Sequence, residues 1–587
     1  MLEVPARDAR AIGTTWLIEF ARRPWRASLA LILLCLAIYV PGVLRLPAVD
    51  RTEIVYAETT RDMVARSAWL DPRYGDTVHQ FRPIGTYWAQ AIAASIAGPE
   101  FARTIAVYRV PGLFAVTFAV AALFWLATPL VGGPVAFMAA TLVAVAPLTV
   151  LVSQLAITEG LSLLPAIVAL LCLLRLYTLR DNDASSSRLA MLFWSSVGFG
   201  MLLNALLVPI LIIATLVALA VMDRDLSWLK RTRPIIGVPL ALAIASPWIV
   251  VRMMQDGVPF SGLGVSAILE ALGGSQDMKL RALPGTFVLA LLLGFLPGTA
   301  LLIPAFAKLW GARDQRIARF LLAWVIGYLA YLELLSSKPG TYTVQVMFPA
   351  LALAVAMLVR DADGAPKFPK WHAIPWPPIA AVFVLMLFAG AYAATGTWPS
   401  IPAIVMIVAV AALFYVSAVD GRANRLALWW RDSVAALALF AVTLLAVVLP
   451  SLDTIWPARQ IARAIAAACP GATDVSTGVL GFREPSGVFI LGSSRSLQTP
   501  EAIARSKPPL RIVEARWLDR YSHAMQESGA SPGIELGCVS TTNVMRGCGL
   551  TFRIFCDGLD GRCAPLAHAA ACAPLSSLRV KSDQACD

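Results

Sequence analysis

From its start the chain alternates long apolar runs with short loops rich in Arg, Lys and Pro. A helix needs roughly 20 apolar residues to cross a bilayer. About 13 runs approach that length. Their limits are 27–45, 104–127, 133–152, 160–177, 189–205, 206–222, 235–253, 285–308, 319–336, 342–359, 375–395, 400–418 and 433–451. The pair around 189–222 also reads as one broken span. After about 452 the pattern changes. Short strand-like runs at 477–482, 487–492, 510–515 and 550–556 lie between turn signals, with helix-like stretches at 500–506 and 517–528. Alternating elements of this kind predict a small α/β domain over 452–587.

Composition supports that division. Of 587 residues, 58% are hydrophobic and only 14% charged, and the mean hydropathy is +0.72. A soluble chain is nearer half apolar and a quarter charged, so a polytopic helical membrane protein is expected. The run from about 27 to 43 is long for a signal-peptide core and no small-residue cleavage site follows it, so it reads as a retained first span.

The net charge of +12 raises the question of nucleic acid. The basic residues lie instead in loops between apolar runs, where they orient spans, and no basic stripe with interleaved aromatics occurs on one soluble domain. Arg7, Arg10, Arg22, Arg23 and Arg26 precede the first run, which makes the N-terminus cytoplasmic. Loops 178–188, 223–234, 309–318, 360–374 and 419–432 then fall inside, and each carries Lys or Arg. An odd number of spans places 452–587 outside, in the periplasm of a bacterial inner membrane. The other outside parts are loop 46–103, the turn 153–159, loop 254–284 and the turn 337–341.

Seven of the nine cysteines fall in the C-terminal domain: Cys469, Cys538, Cys548, Cys556, Cys563, Cys572 and Cys586. Cys35 and Cys172 lie within apolar runs. An oxidising compartment predicts disulfides, and an odd count leaves one thiol over. Zinc is the rival, disfavoured because there is no CxxC and only His568 is near in sequence.

The first outside loop concentrates charge. Asp50, Glu53 and Glu58 fall within nine residues beside the first span. Residues 52–70 place Ile54, Val55, Ala57, Met63, Val64 and Trp69 as for a helix lying on a membrane surface. Asp50 and Glu53 would share a face near its start, where acids also suit the helix dipole. The plain account of these acids is structural.

The order of residues suggests more. Thr52-Glu53, Tyr56-Ala57-Glu58, "FRPIGTYW" (81–88) and Arg109-Val110-Pro111 follow one another. "SQLAITEG" (153–160) comes next, then a segment carrying Trp324, Glu333, Lys338, Tyr342 and Pro349, then "EPS" within 481–492. The series resembles the GT-C fold glycosyltransferases that use polyprenyl-phosphate sugars, in particular the bacterial aminoarabinose transferases and protein O-mannosyltransferases. The resemblance covers essentially the whole chain and rests on the motifs in order, since none is specific alone. It implies a membrane domain over 1–451, with 46–103 as its catalytic loop, and a Cys-rich periplasmic domain after it. The implied partners are a polyprenyl-phosphate-linked sugar donor, a lipid or envelope-glycan acceptor and membrane lipids.

The implied roles follow the chemistry. An acceptor hydroxyl attacks the anomeric carbon while a carboxylate takes its proton. The leaving group is a lipid phosphate, which cations stabilise. Glu53, Asp50 and Glu159 are the candidate acids. Arg82, Lys338, Tyr342 and Tyr87 are the candidate phosphate-binding residues. Each has a plainer account: headgroup anchors for Arg82 and Lys338, an interface aromatic for Tyr342, a helix cap for Glu159. A divalent ion on Asp50, Glu53 or Glu159 is compatible with the sequence, which does not demand one.

Three positions depart from the family pattern. Thr52 stands where the family has its catalytic Asp, Asn204-Ala205-Leu206 where it has K-G-P, and Thr341 where it has His. A second reading is therefore a non-catalytic binder of lipid-phosphate glycans or an accessory subunit of an envelope complex. A transporter is disfavoured, because the charged residues cluster in loops rather than at mid-membrane.

Overall fold

The computed structural model describes residues 23–49, 51–74, 77–78, 83–179, 185–225, 227–256, 283–335, 340–362, 376–395, 401–452, 455–470, 477–482, 485–491, 499–543, 548–557 and 563–564. Each apolar run of the sequence falls on a helix or on consecutive helical pieces, several of them too short to be counted as spans by themselves. Among the described residues, seven helices are long and apolar enough to cross a membrane, or up to nine if each bent pair is one span. The chain is thus a multi-pass membrane protein. Its surface agrees, because Leu33, Phe118, Trp125, Val221 and Ile303 are each more than half exposed. Large apolar residues in that number belong against lipid rather than water.

Prolines set the breaks. Gly133–Val145 and Pro147–Ser153 meet at 64°, and Thr286–Gly294 and Gly298–Gly311 at 107°. Pro147 and Pro297 stand at these corners, where a missing N–H and a restricted preceding residue interrupt the helix. The 189–222 run is two helices, Ser185–Leu203 and Leu207–Asp223, divided at Asn204. Thr158–Thr178 is the central helix, with 89% of its most apolar window buried. Apolar residues all round suit such a position. Glu333, a residue of the motif series, accepts from the backbone N–H groups of Gly285, Phe287 and Val288 at 2.8–3.1 Å. It caps the helix Thr286–Gly294 from outside, supplying partners that a helix start otherwise lacks.

A hairpin of two short strands, β1 (Arg73–Tyr74) and β2 (Thr77–Val78), lies in the first loop. The C-terminal region holds a sheet of β3 (Thr477–Leu480), β4 (Leu510–Glu514), β5 (Ile534–Asn543) and β6 (Cys548–Cys556). Its order is β3-β4-β6-β5, with β3 parallel to β4 and the other pairs antiparallel. The expected strands at 477–482, 510–515 and 550–556 are present, as are helices Pro500–Ser506 and Leu518–Glu527.

The strand expected over 487–492 is instead part of a helix, Pro485–Leu491. A short apolar run cannot be assigned by period alone, and Pro485 suits a first helical position. Tertiary contacts then decide, because Phe489 and Ile490 on this helix serve two different cores. Helix Pro457–Ala468 and strand β5 were not foreseen.

Cys469 and Cys563 form a disulfide across a sequence separation of 94 residues, and Cys538 is also disulfide-bonded. The sulfur of Cys556 lies within 4.8 Å of the Cys469 and Cys563 sulfurs. Two of these three sulfurs are used in the disulfide, so the group lacks the thiolates a zinc site needs. Closing so long a loop should stabilise the domain by about 2–4 kcal/mol. The double variant Cys469→Ser, Cys563→Ser should therefore lower the denaturant midpoint of the domain's unfolding in the full-length protein. An unchanged midpoint would show that the crosslink adds no stability.

Candidate functional site

The acid-bearing helix Arg51–Ala65 begins with Glu53 in its first turn, as a helix dipole favours. A surface-lying helix would bury one stripe. This one buries Glu53, Ile54, Tyr56, Ala57, Glu58, Thr59, Thr60 and Met63, which occupy most of its circumference. The expectation of a one-faced amphipathic helix is corrected, and polar groups are what it buries. Thr52 is exposed.

Glu53 is fully buried beside an equally buried Arg109. Its Oε1 accepts from Arg109 Nε at 2.6 Å and from the backbone N–H of Ala156 at 2.8 Å. Its Oε2 accepts from Arg109 Nη2 at 2.9 Å and from the N–H of Val49 at 3.2 Å. Arg109 also donates to the carbonyls of Leu46 at 2.5 Å and Pro47 at 2.9 Å. These carbonyls follow the end of helix Pro24–Arg45. One ion pair thus joins that helix end, the acid-bearing helix, the helix Ile105–Val131 and the 154–157 turn. Two hydrogen bonds to each oxygen occupy the Glu53 carboxylate, and its contacts are those of a structural pin.

In the sequence Arg109 stands in the motif series with no evident partner. The signal was there: a lone Arg at the start of an apolar run needs a buried counter-charge.

A second layer lies further along. Thr158 Oγ1 donates to Tyr56 Oη at 2.8 Å and lies 3.1 Å from Thr86 Oγ1. Thr60 donates to Gln90 at 2.9 Å, and Gln90 Nε2 donates to the Ala156 carbonyl at 3.0 Å. Tyr87 is fully buried, its ring centroid 5.2 Å from that of Tyr56. Gly85, at the start of the Tyr87 helix (Gly85–Ala97), lies against the Leu202 carbonyl, where a Cβ would come within 2.6 Å of the oxygen. The helix break at Asn204 therefore borders this helix. Glu58 is buried and pairs with Arg61 at 2.5 Å. The sequence showed Glu58 as an acid of the motif series but gave it no role.

Glu159 sits half-buried in the first turn of Thr158–Thr178. Its carbonyl accepts from Gln345 Nε2 at 2.9 Å. Gln345 lies in the 3-10 turn Thr341–Met347, whose Tyr342 packs on Val152, Leu155 and Ile157. The 153–160 and 341–347 segments, far apart in sequence, are thereby brought together. Asp50, Arg82 and Lys338 lie outside the described residues, as does His79.

Among the described residues, several buried polar atoms here have no hydrogen-bond partner: both amide atoms of Gln154, Oε1 of Gln345, and the hydroxyls of Thr59 and Thr149. Buried polar groups are rarely left so. Unmet capacity of this kind suits a polar guest. Gly42 makes room for the Gln154 amide, because a Cβ there would fall 1.6 Å from Gln154 Oε1. A divalent ion gains no ligand from Glu53 in this arrangement, since Arg109 holds its carboxylate.

Three comparisons bear on this geometry. Residues 81–251 match the family model described as dolichyl-phosphate-mannose-protein mannosyltransferase. The undecaprenyl phosphate-alpha-4-amino-4-deoxy-L-arabinose arabinosyl transferase of Aeromonas hydrophila is 28% identical over 338 residues, covering 54% of this chain and 58% of that protein. Its counterpart from Erwinia tasmaniensis is 25% identical over 342 residues, covering 57% and 61%. The matched region thus spans less than two thirds of these relatives' length. The crystal structure of ArnT from Cupriavidus metallidurans bound to undecaprenyl phosphate aligns with a TM-score of 0.65 at 15% identity. That alignment covers 95% of this chain and 99% of the other. The apo form gives 0.64 at 16% identity, covering 89% and 97%. At such identity the comparison establishes a shared fold.

The pin makes a sharp prediction. Arg109→Met should cost about 3–5 kcal/mol by leaving Glu53 charged and unpaired. Adding Glu53→Leu to it should recover a large part of that loss, read as thermal unfolding in detergent. Additive losses in the double variant would show that the pair is not the stabilising unit.

Proposed function

We propose that this chain, a GT-C fold relative of the mannosyltransferases and aminoarabinose transferases, moves a sugar from a polyprenyl-phosphate carrier to an acceptor. The acceptor is a lipid or envelope glycan on the periplasmic face of a bacterial inner membrane. The observation that carries the reading is the fold shared over 95% of the chain with ArnT from Cupriavidus metallidurans bound to undecaprenyl phosphate. The meeting of the 53, 87, 159 and 342 segments around one polar interior supports it. In full, the reading has about 13 spans, a cytoplasmic N-terminus and a periplasmic C-terminal domain.

In this reaction the acceptor oxygen forms a bond to the anomeric carbon as the bond from that carbon to the phosphate oxygen breaks. The acceptor's proton passes to a carboxylate, and the carrier leaves as polyprenyl phosphate. Asp50 and Glu159 are the acids we assign to the proton, because the contacts of Glu53 fit a positioning role. Arg82 and Lys338 would balance the charge on the leaving phosphate, with Tyr342 and Tyr87 shaping the pocket. Thr52 has no basic lone pair near neutral pH, so it cannot replace the Asp of the family pattern.

Thr52 and Asn204 together favour one second reading, a binder of lipid-phosphate glycans that no longer turns over. The purified full-length protein should transfer sugar from an undecaprenyl-phosphate-linked donor. Asp50→Asn and Glu159→Gln should each slow transfer by about 10²–10⁴-fold. Full activity in both would remove these acids. Retention of undecaprenyl phosphate without transfer, with turnover appearing on Thr52→Asp, would establish the second reading.

A further inference from the structure

The C-terminal region reaches the site through the helix Pro485–Leu491, whose Phe489 is the buried member of the contact. Phe489 is fully buried, yet it lies outside its own domain's main cores. It packs in a cluster with Ile54, Ala57, Ala94, Tyr108 and Ala156. Its ring meets that of Tyr108 edge-on, with centroids 5.8 Å apart and planes at 79°. Each member of the Glu53 pin is represented in this cluster. Ile54 follows Glu53, Tyr108 precedes Arg109, and Ala156 supplies the N–H that Glu53 accepts. The next residue, Ile490, also packs into the core of the C-terminal sheet, against Ile512 and Phe552 among others. The helix Pro485–Leu491 is therefore a bridge: Phe489 belongs to the cluster beneath the acid-bearing helix, and Ile490 packs on that cluster and on the sheet core.

We propose that Phe489 is a positioning residue for the transfer site, so that the Cys-rich domain is a working part of that site. The proposal rests on the function assigned above. The ring fills the floor beneath the acid-bearing helix and fixes Tyr108, hence the start of the helix that carries Arg109. Arg109 in turn holds Glu53, which sets where the rest of the acid-bearing helix lies. A Phe489→Ala change leaves a cavity between two bodies that no covalent crosslink among the described residues joins. The acid-bearing helix then loses its fixed height relative to the 154–159 turn.

The test uses the full-length protein in detergent, with amide hydrogen exchange as the first measurement. Phe489→Ala should speed exchange across residues 51–65 at least tenfold, and Phe489→Leu, which keeps apolar volume, should stay near the natural rate. Met525→Ala, in the far core of the C-terminal domain with Ile503 and Tyr521, should leave 51–65 unchanged. Unchanged exchange in Phe489→Ala, or an equal rise in Met525→Ala, overturns the proposal. The second measurement is transfer from an undecaprenyl-phosphate-linked sugar. There kcat should fall about 10- to 100-fold in Phe489→Ala with KM for the carrier within about twofold, and Phe489→Leu should restore it. A loss carried wholly by KM counts against it. Exchange needs no turnover, so a protein that transfers no sugar refutes the functional reading while the exchange result still decides this one.

Discussion

Glu53 and Arg109 are two opposite charges removed from water where a helix end, a loop and a turn converge. Stripping water from such a pair costs several kcal/mol per ion, and attraction alone does not offset it. What offsets it here is complete hydrogen bonding. The carboxylate accepts four bonds, and the guanidinium donates to the carbonyls beyond the first helix as well. Those carbonyls and the Val49 and Ala156 amides are backbone groups that need partners in any case. The pair therefore serves as a junction, fixing four segments with directional bonds where an apolar contact would allow sliding.

The rest of the site is built outward from that junction. The Ala156 N–H binds Glu53 while its carbonyl takes Gln90, so one peptide relates the acid-bearing helix to the Tyr87 helix. Thr158 reaches Tyr56 two residues later. Gln345 then ties the 341–347 turn to the carbonyl of Glu159. Below, the apolar cluster around Phe489 couples the junction to the C-terminal sheet, and the Cys469–Cys563 disulfide closes that domain on itself. A site made this way stands at the edge of the apolar core and keeps polar atoms inside that, among the described residues, have no hydrogen-bond partner.

Of the three positions that depart from the resembled pattern, Thr52 bears most directly on the site's geometry. The position of the expected Asp is held by Thr52, on the exposed side of its helix, while the Glu beside it is locked in the junction. Proton transfer and positioning are therefore borne by different residues in the proposed mechanism. The acid nearest in sequence to Thr52 is held in the ion pair, and the mechanism proposed above therefore assigns the proton to acids on either side of it.

Much of this was legible in the chain itself. Apolar length fixed the helices, because a hydrocarbon environment leaves helices as the way to satisfy every backbone group. Prolines located the corners, and the order of weak motifs identified the fold. The sequence signalled that Arg109 needs a counter-charge but could not show which acid supplies it, since Glu53 lies 56 positions away and pairing depends on packing. Nor could it show that 487–491 would be helical, because a five-residue apolar run satisfies either period. There the outcome was set by Phe489 and Ile490 filling two separate cores at once. Local hydrophobicity and chain stiffness are properties of sequence. Which acid is buried, what neutralises it and which domain supports it depend on contacts between distant segments, and only the tertiary structure decides them.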